Sequence, residues 1–158
     1  MCILSDSTLL KLLPQIIREP DPSMINPASI DIRIGTDVQY EDGTIFDLRL
    51  SPYRLEPKEF VLVSTYEHIT IPNGYVAELK LKSTRAREGF DHSLAFYIDP
   101  GWEGILTMEV SNNHRLKALD LVYGQRFGQL IIHKLDKPAL QPYSGKYKGA
   151  TNVEAAKL

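Results

Sequence analysis

The chain has 158 residues, a formal net charge of −2, 43% hydrophobic and 24% charged residues, the values of one soluble domain long enough to bury a core. That balance offers nucleic acid no basic field, and no run approaches the ~20 apolar residues that cross a bilayer. The lone Cys2 excludes an internal disulfide framework. Met1-Cys2-Ile3-Leu4 passes at once to Ser5 and Asp6, so no signal peptide and a cytoplasmic location are expected.

Ser5-Asp6-Ser7 precedes Thr8-Leu9-Leu10-Lys11-Leu12-Leu13, with Ile16 and Ile17 beyond, the pattern of an N-capped amphipathic helix. Pro14 either stops it or starts a second short turn. Ile30, Ile32 and Ile34 alternate with Asp31 and Arg33, which predicts a strand closed by Gly35. Residues 37–46 predict a hairpin turning at Glu41-Asp42-Gly43. Further strands are expected at 59–64, 67–71, 75–81, 116–121 and 125–135, with turn signals such as Pro72-Asn73-Gly74 and Tyr123-Gly124 between them. Short strands at this spacing predict an all-β sandwich or barrel in a single domain, residues 1–158. Residues 143–158 are rich in Lys, Gly and Ala and predict a flexible tail.

Two stretches carry chemistry. Residues 82–89, KSTRAREG, hold three cations and two hydroxyls, and one helical turn puts Ser83 and Arg87 on the same face. Such donors suit an anion such as phosphate, although a solvated basic turn has the same composition. Residues 93–112, SLAFYIDPGWEGILTMEVSN, predict a hairpin around Asp99-Pro100-Gly101-Trp102. Beyond its turn, Ile105, Thr107, Glu109 and Ser111 fall on one strand face and Leu106, Met108 and Val110 on the other, since side chains alternate. Glu109 thus stands in mid-strand opposite an apolar face. Trp102 is expected in packing, and His92 and His114 at the surface. A zinc-dependent nucleobase deaminase needs a His or Cys with a Cys-x-x-Cys pair, which one cysteine cannot supply, and the four histidines form no HExxH cluster, so no protein-bound zinc or other metal site is expected.

Residues 25–35, 82–89 and 95–112, with Phe127-Gly128-Gln129-Leu130 and residues 143–149, together resemble the dCTP deaminase family of the dUTPase-like superfamily, in order across nearly the whole chain. The resemblance implies a mostly β fold, the dUTPase-like distorted β-barrel or β-clip, with a short N-terminal helix and a flexible C-terminal tail. It implies a nucleotide site of Lys82, Ser83, Thr84, Arg85, Ala86 and Arg87, then Asp99 at the sugar, Thr107, Met108 and Glu109 at the base, Gln129, and Tyr143 and Lys146 closing over the triphosphate. Catalysis would fall to Glu109, Ser83, Arg87 and the backbone of Ala95, which helps hold the reacting water. The family implies a homotrimer with shared active sites, dCTP and dUTP as ligands with dTTP as a candidate inhibitor, Mg²⁺ carried on the nucleotide phosphates, and a role in dTTP-precursor supply. This chain departs from the family in Arg85, where a leucine is expected, in the two residues between Tyr143 and Lys146, and in the ending Gly149-Ala150-Thr151-Asn152-Val153.

The chemistry fits these residue types. Deamination of cytosine requires water at C4, a proton at N3 and a proton for the leaving ammonia. Without zinc a placed carboxylate must shuttle those protons, and a partly buried glutamate is suited because burial raises its pKa. Ser83 and the Ala95 carbonyl can orient the water, and Arg87 can stabilise the developing charge. A bifunctional enzyme taking dCTP to dUMP and a pure dUTPase are alternatives in which Asp99 activates water at the phosphates. A deoxynucleotide-binding regulator without turnover is a third.

Overall fold

The computed structural model describes residues 2–92 and 97–158. Its elements, in order, are β1 (Cys2–Ile3), α1 (Asp6–Ile16), a 3-10 turn at Pro22–Met24, β2 (Ile25–Asn26), β3 (Ser29–Gln39), β4 (Ile45–Asp47), β5 (Tyr53–Leu55), β6 (Phe60–Thr70) and β7 (Tyr75–Leu81). They continue with α2 (Ser83–Glu88), β8 (Phe90–His92), β9 (Tyr97–Ile98), β10 (Glu103–Asn112), β11 (Leu119–Leu121) and β12 (Arg126–Lys134). The strands order as β8-β10-β6-β3-β12-β7-β9, with β1, β2 and β4 at the margins and β11 paired with β5 as a separate ribbon. The predicted mostly β fold is present.

Strand β3 joins the two halves of the sheet. Its first half pairs with β12 at Ile30, Asp31 and Ile32, and its second half pairs with β6 at Val38 and Gln39. The predicted strand end at Gly35 is instead this crossing point. A side chain there would run into the Thr65 backbone and the Ser64 hydroxyl, so the glycine lets the strands approach rather than ending one. Ile30, Ile32, Ile34 and Val38 are buried, and so is Asp31, because both faces of this central strand are covered.

Helix α1 runs through Pro14. Leu9, Leu12, Leu13 and Ile16 form one buried stripe, and this packing holds the last turn despite the missing proline N–H. The two strands expected at 59–64 and 67–71 are one strand, β6, whose register against β10 shifts between the Ile105 and Thr107 pairs. The expected hairpin around Asp99 is absent among the described residues. Strand β9 pairs with β7 while β10 pairs with β6 and β8, so the intervening turn carries the chain between opposite ends of the sheet.

The tail docks on the sheet. It returns along β10, with Gly149 N–H donating to the Glu103 carbonyl (2.7 Å) and Ile105 N–H to the Ala150 carbonyl (2.7 Å). Gly104 at φ +144° admits this contact, since a Cβ would stand 2.9 Å from the Ala150 backbone N and O. Ala150 and Val153 are buried by it.

Candidate active site

A cavity of about 500 Å³ opens on the face of β10 that carries Thr107 and Glu109. Asp99, Trp102, Tyr143 and Tyr147 line it, as do Phe60 and Leu62 from the neighbouring strand. Register explains the grouping. Glu109 pairs with Leu62, Thr107 with Ser64 and Ser111 with Phe60, and residues directly opposite in an antiparallel pair share a face. Met108 and Val110 are fully buried on the other face, as the alternation predicts. Leu106 departs from it and lines the cavity, because at the register shift its N–H donates to the Thr65 hydroxyl (3.0 Å) instead of to a strand carbonyl.

Glu109 is half-buried, and its Oε2 is buried with no hydrogen-bond partner among the described residues. Burial beside apolar neighbours pushes its carboxyl above the usual glutamate range. His92 stands next to it rather than at the surface, with Nδ1 3.4 Å from the Glu109 carbonyl oxygen. Its Nε2 is buried without a partner among the described residues, and burial pushes the imidazole down toward its neutral form. His114 is also half-buried, with Nε2 2.8 Å from the Glu88 carbonyl at the end of α2.

Asp99 heads a tight turn in which Trp102 N–H donates to the Asp99 carbonyl (3.1 Å). Pro100 and Gly101 occupy its centre, with Gly101 at φ +84°, the positive φ that a type II turn assigns to glycine. The Asp99 side chain remains exposed toward the cavity. Trp102 is both buried core and cavity wall, its ring 5.5 Å from that of Tyr143. Tyr143 N–H in turn donates to the Pro100 carbonyl (2.7 Å).

One chain therefore brings Asp99, Thr107, Glu109 and Tyr143 to a single cavity, with Met108 behind it. The basic block lies elsewhere. No residue of α2 lines the cavity; Ser83, Thr84, Ala86 and Arg87 are exposed, and Arg85 pairs with Glu88 (2.7 Å). Arg87 makes no ion pair among the described residues. Lys82 is tied down, its Nζ 2.5 Å from Asp31, a carboxylate only 1% exposed that also meets Arg126 (3.3 Å) and Asn26 (2.7 Å). Gln129 sits opposite Asp31 in the β3–β12 pair and accepts from Ser29 (3.4 Å), away from the cavity. Lys146 is exposed near the Tyr147 ring. Ala95 lies outside the described residues.

Sequence reasoning missed Phe60, Leu62, Tyr147 and Glu154 as cavity residues. The first two reach the site only through strand pairing, and the other two through the docking of the tail. Neither event leaves a local signal. Among the described residues no group of three or more His, Cys, Asp or Glu side chains could hold a metal.

The curled, mostly β sheet has the dUTPase-like fold. The family model for the dCTP deaminase-like domain matches residues 3–135, and the chain belongs to that family. A dCTP deaminase of Thermococcus kodakarensis is 36% identical over 149 residues, covering 93% of this chain and 94% of that one. A "dCTP deaminase, dUMP-forming" of Methanosphaera stadtmanae is 31% identical over 187 residues, covering 100% and 94%. The crystal structure of 2'-deoxycytidine 5'-triphosphate deaminase from Agrobacterium tumefaciens superposes with a TM-score of 0.70 at 21% identity, over 84% of this chain and 47% of that chain. The EIAV dUTPase shares the fold at a TM-score of 0.54 and 21% identity, over 81% and 90%.

Proposed function

We propose that this protein deaminates dCTP, converting dCTP and water to dUTP and ammonia. The observation that carries the reading is Glu109, a half-buried carboxylate with one oxygen unpartnered among the described residues and a pKa raised by burial, on the wall of a cavity roomy enough for a nucleoside. Glu109 takes a proton from the water attacking C4 and passes it to N3, then takes the second proton from the resulting C4 hydroxyl and delivers it to the amino group, which departs as ammonia. Its raised pKa suits it to both halves of that exchange near neutral pH. Thr107 and the backbone around Met108 contact the base, and Asp99 contacts the sugar. Tyr143 and Lys146 meet the triphosphate, which brings Mg²⁺ with it.

Ser83 and Arg87 complete the site from a neighbouring copy in a homotrimer, with the Ala95 carbonyl helping to orient the water. The exposure of Ser83 and Arg87, on a helix that does not line the Glu109 cavity of its own chain, supports this. Lys82 keeps α2 in place through Asp31 while its neighbours face the phosphates.

A second reading has a specific observation behind it. Asp99 lines the same cavity as Glu109, and the Methanosphaera stadtmanae relative is named dUMP-forming. In that reading Asp99 activates a second water at the triphosphate, releasing pyrophosphate. Incubation with dCTP and Mg²⁺, with dUTP, dUMP, ammonia and pyrophosphate resolved, tests both. Ammonia with dUTP supports the first reading, ammonia with dUMP and pyrophosphate the second, and pyrophosphate without ammonia contradicts both.

A further inference from the structure

Helix α2 is pinned at its end by the segment that follows the Glu109 strand. Asn112, the last residue of β10, is 1% exposed, and its side chain folds that segment. Its Nδ2 donates to the Leu55 carbonyl (3.1 Å) and the Lys117 carbonyl (2.8 Å), and its Oδ1 accepts the His114 N–H (2.9 Å). The residues so held reach α2. Asn113 N–H donates to the Gly89 carbonyl (2.8 Å), and His114 Nε2 lies 2.8 Å from the Glu88 carbonyl. A carbonyl only accepts, so Nε2 carries the hydrogen. The Glu88 carbonyl is among the last of the helix, which no later turn can satisfy. Gly89 makes room for the ring: at φ +101° it turns the chain out of α2, and a Cβ there would run into His114.

At its other end α2 is held by Lys82, whose Nζ meets Asp31 (2.5 Å) and whose N–H donates to the Phe127 carbonyl (2.9 Å). A helix of 6 residues is too short to keep its shape in water unaided, so these end contacts set its direction. Arg87 directly precedes Glu88, and its side chain is exposed. We propose that His114 is a positioning residue for deamination: its bond to the Glu88 carbonyl fixes the exit of α2 and so aims Arg87 at the reacting atoms of a neighbouring copy's site. This role rests on the reading in which Ser83 and Arg87 complete that site. It makes β10 and α2 one rigid piece that serves two sites, Glu109 in its own cavity and Arg87 in the next.

His114→Leu removes the donor, and His114→Gln keeps one at about the same reach. The amides of Gly89 and Asn113 exchange hydrogen faster in His114→Leu than in the parent, and at the parent rate in His114→Gln. On dCTP, kcat falls about 10-fold to 100-fold in His114→Leu with KM within about threefold, and His114→Gln recovers it. Complementation shows through which element His114 acts. His114→Leu and Glu109→Gln chains are co-expressed with different affinity tags, and assemblies holding both are purified. Such assemblies contain sites that join Glu109 of the first chain to the intact α2 of the second, so activity exceeds that of either variant alone. Glu109→Gln with Arg87→Ala is the control pair. Recovery in the control but not in the His114 pair places the effect of His114 on its own β10 and overturns the proposal. Recovery in neither pair overturns the shared site, and with it the reach of His114 to a neighbour. A kcat unmoved by His114→Leu overturns the role in turnover. Equal exchange in all three proteins overturns the pin itself, whether or not dCTP is a substrate. Where His114→Leu does not fold, His114→Asn, one carbon shorter than the glutamine, takes its place with the same expectations.

Discussion

Glu109 faces Leu62 across the β6–β10 pair, so the chain's best-placed acid has an apolar cross-strand neighbour where a cation or donor would ordinarily stand. Its pKa is raised in the folded state by burial. Such a group favours the fold below its unfolded pKa, near the ordinary glutamate value of 4.5, and that contribution is lost as pH rises through the folded pKa. Glu109→Gln should therefore melt at a higher temperature than the parent at pH 7, and the difference should close below about pH 4.5. The same variant should lose deamination by about 10²–10⁴-fold, the usual contribution of a placed acid–base, while binding dCTP with little change. Thermal melts across pH and a binding isotherm check the two halves separately.

Asp99 stands at the head of its turn, exposed to the cavity that the half-buried Glu109 also lines. Asp99→Asn should keep ammonia release within about tenfold of the parent, because the proton shuttle is untouched. Any pyrophosphate release by the parent should vanish in this variant. Parallel ammonia and pyrophosphate assays on dCTP measure both.

Asp31 holds Lys82, Arg126 and Asn26 together from a position 1% exposed. Asp31→Asn removes the charge that these cations share while keeping the shape. Hydrogen bonds to charged groups contribute about 1.5–3 kcal/mol each, so a loss of about that size in urea unfolding is expected. An unchanged midpoint would show that Lys82 and Arg126 are as well solvated without it.

Gly104 has φ +144° with the Ala150 backbone against it. Gly104→Ala adds a Cβ that this conformation and this contact both oppose, at a local cost of about 1–3 kcal/mol. The tail should lift while the barrel stays folded. Trypsin should then cut faster after Lys146 and Lys148, with the circular dichroism of the strands unchanged.

Local signals located much of this. Strand β7 matches its expected 75–81 span because alternation and the Pro72-Asn73-Gly74 turn agree, and α2 forms within residues 82–89, where Ser83 and Arg87 sit one turn apart. Glu109 falls on the expected strand face for the same periodic reason. What local pattern could not supply was pairing. The Asp99 turn resembles a hairpin because two apolar strands flank it, yet those strands bond to β7 and β6, far away in sequence. Gly35 reads as a stop because its reason for being glycine is a backbone contact with another strand. The docking place of the tail was not legible because its anchors are backbone groups of β10, which composition does not record.

The most direct measurement is ammonia release from dCTP by the parent and by Glu109→Gln, with Mg²⁺ present and the nucleotide products resolved. Expected is one ammonia per dCTP consumed by the parent, and a Glu109→Gln variant that binds dCTP but releases almost none. Ammonia release that survives in Glu109→Gln, or dCTP binding by the parent without any ammonia, would contradict the assignment of Glu109 as the proton shuttle of a dCTP deaminase.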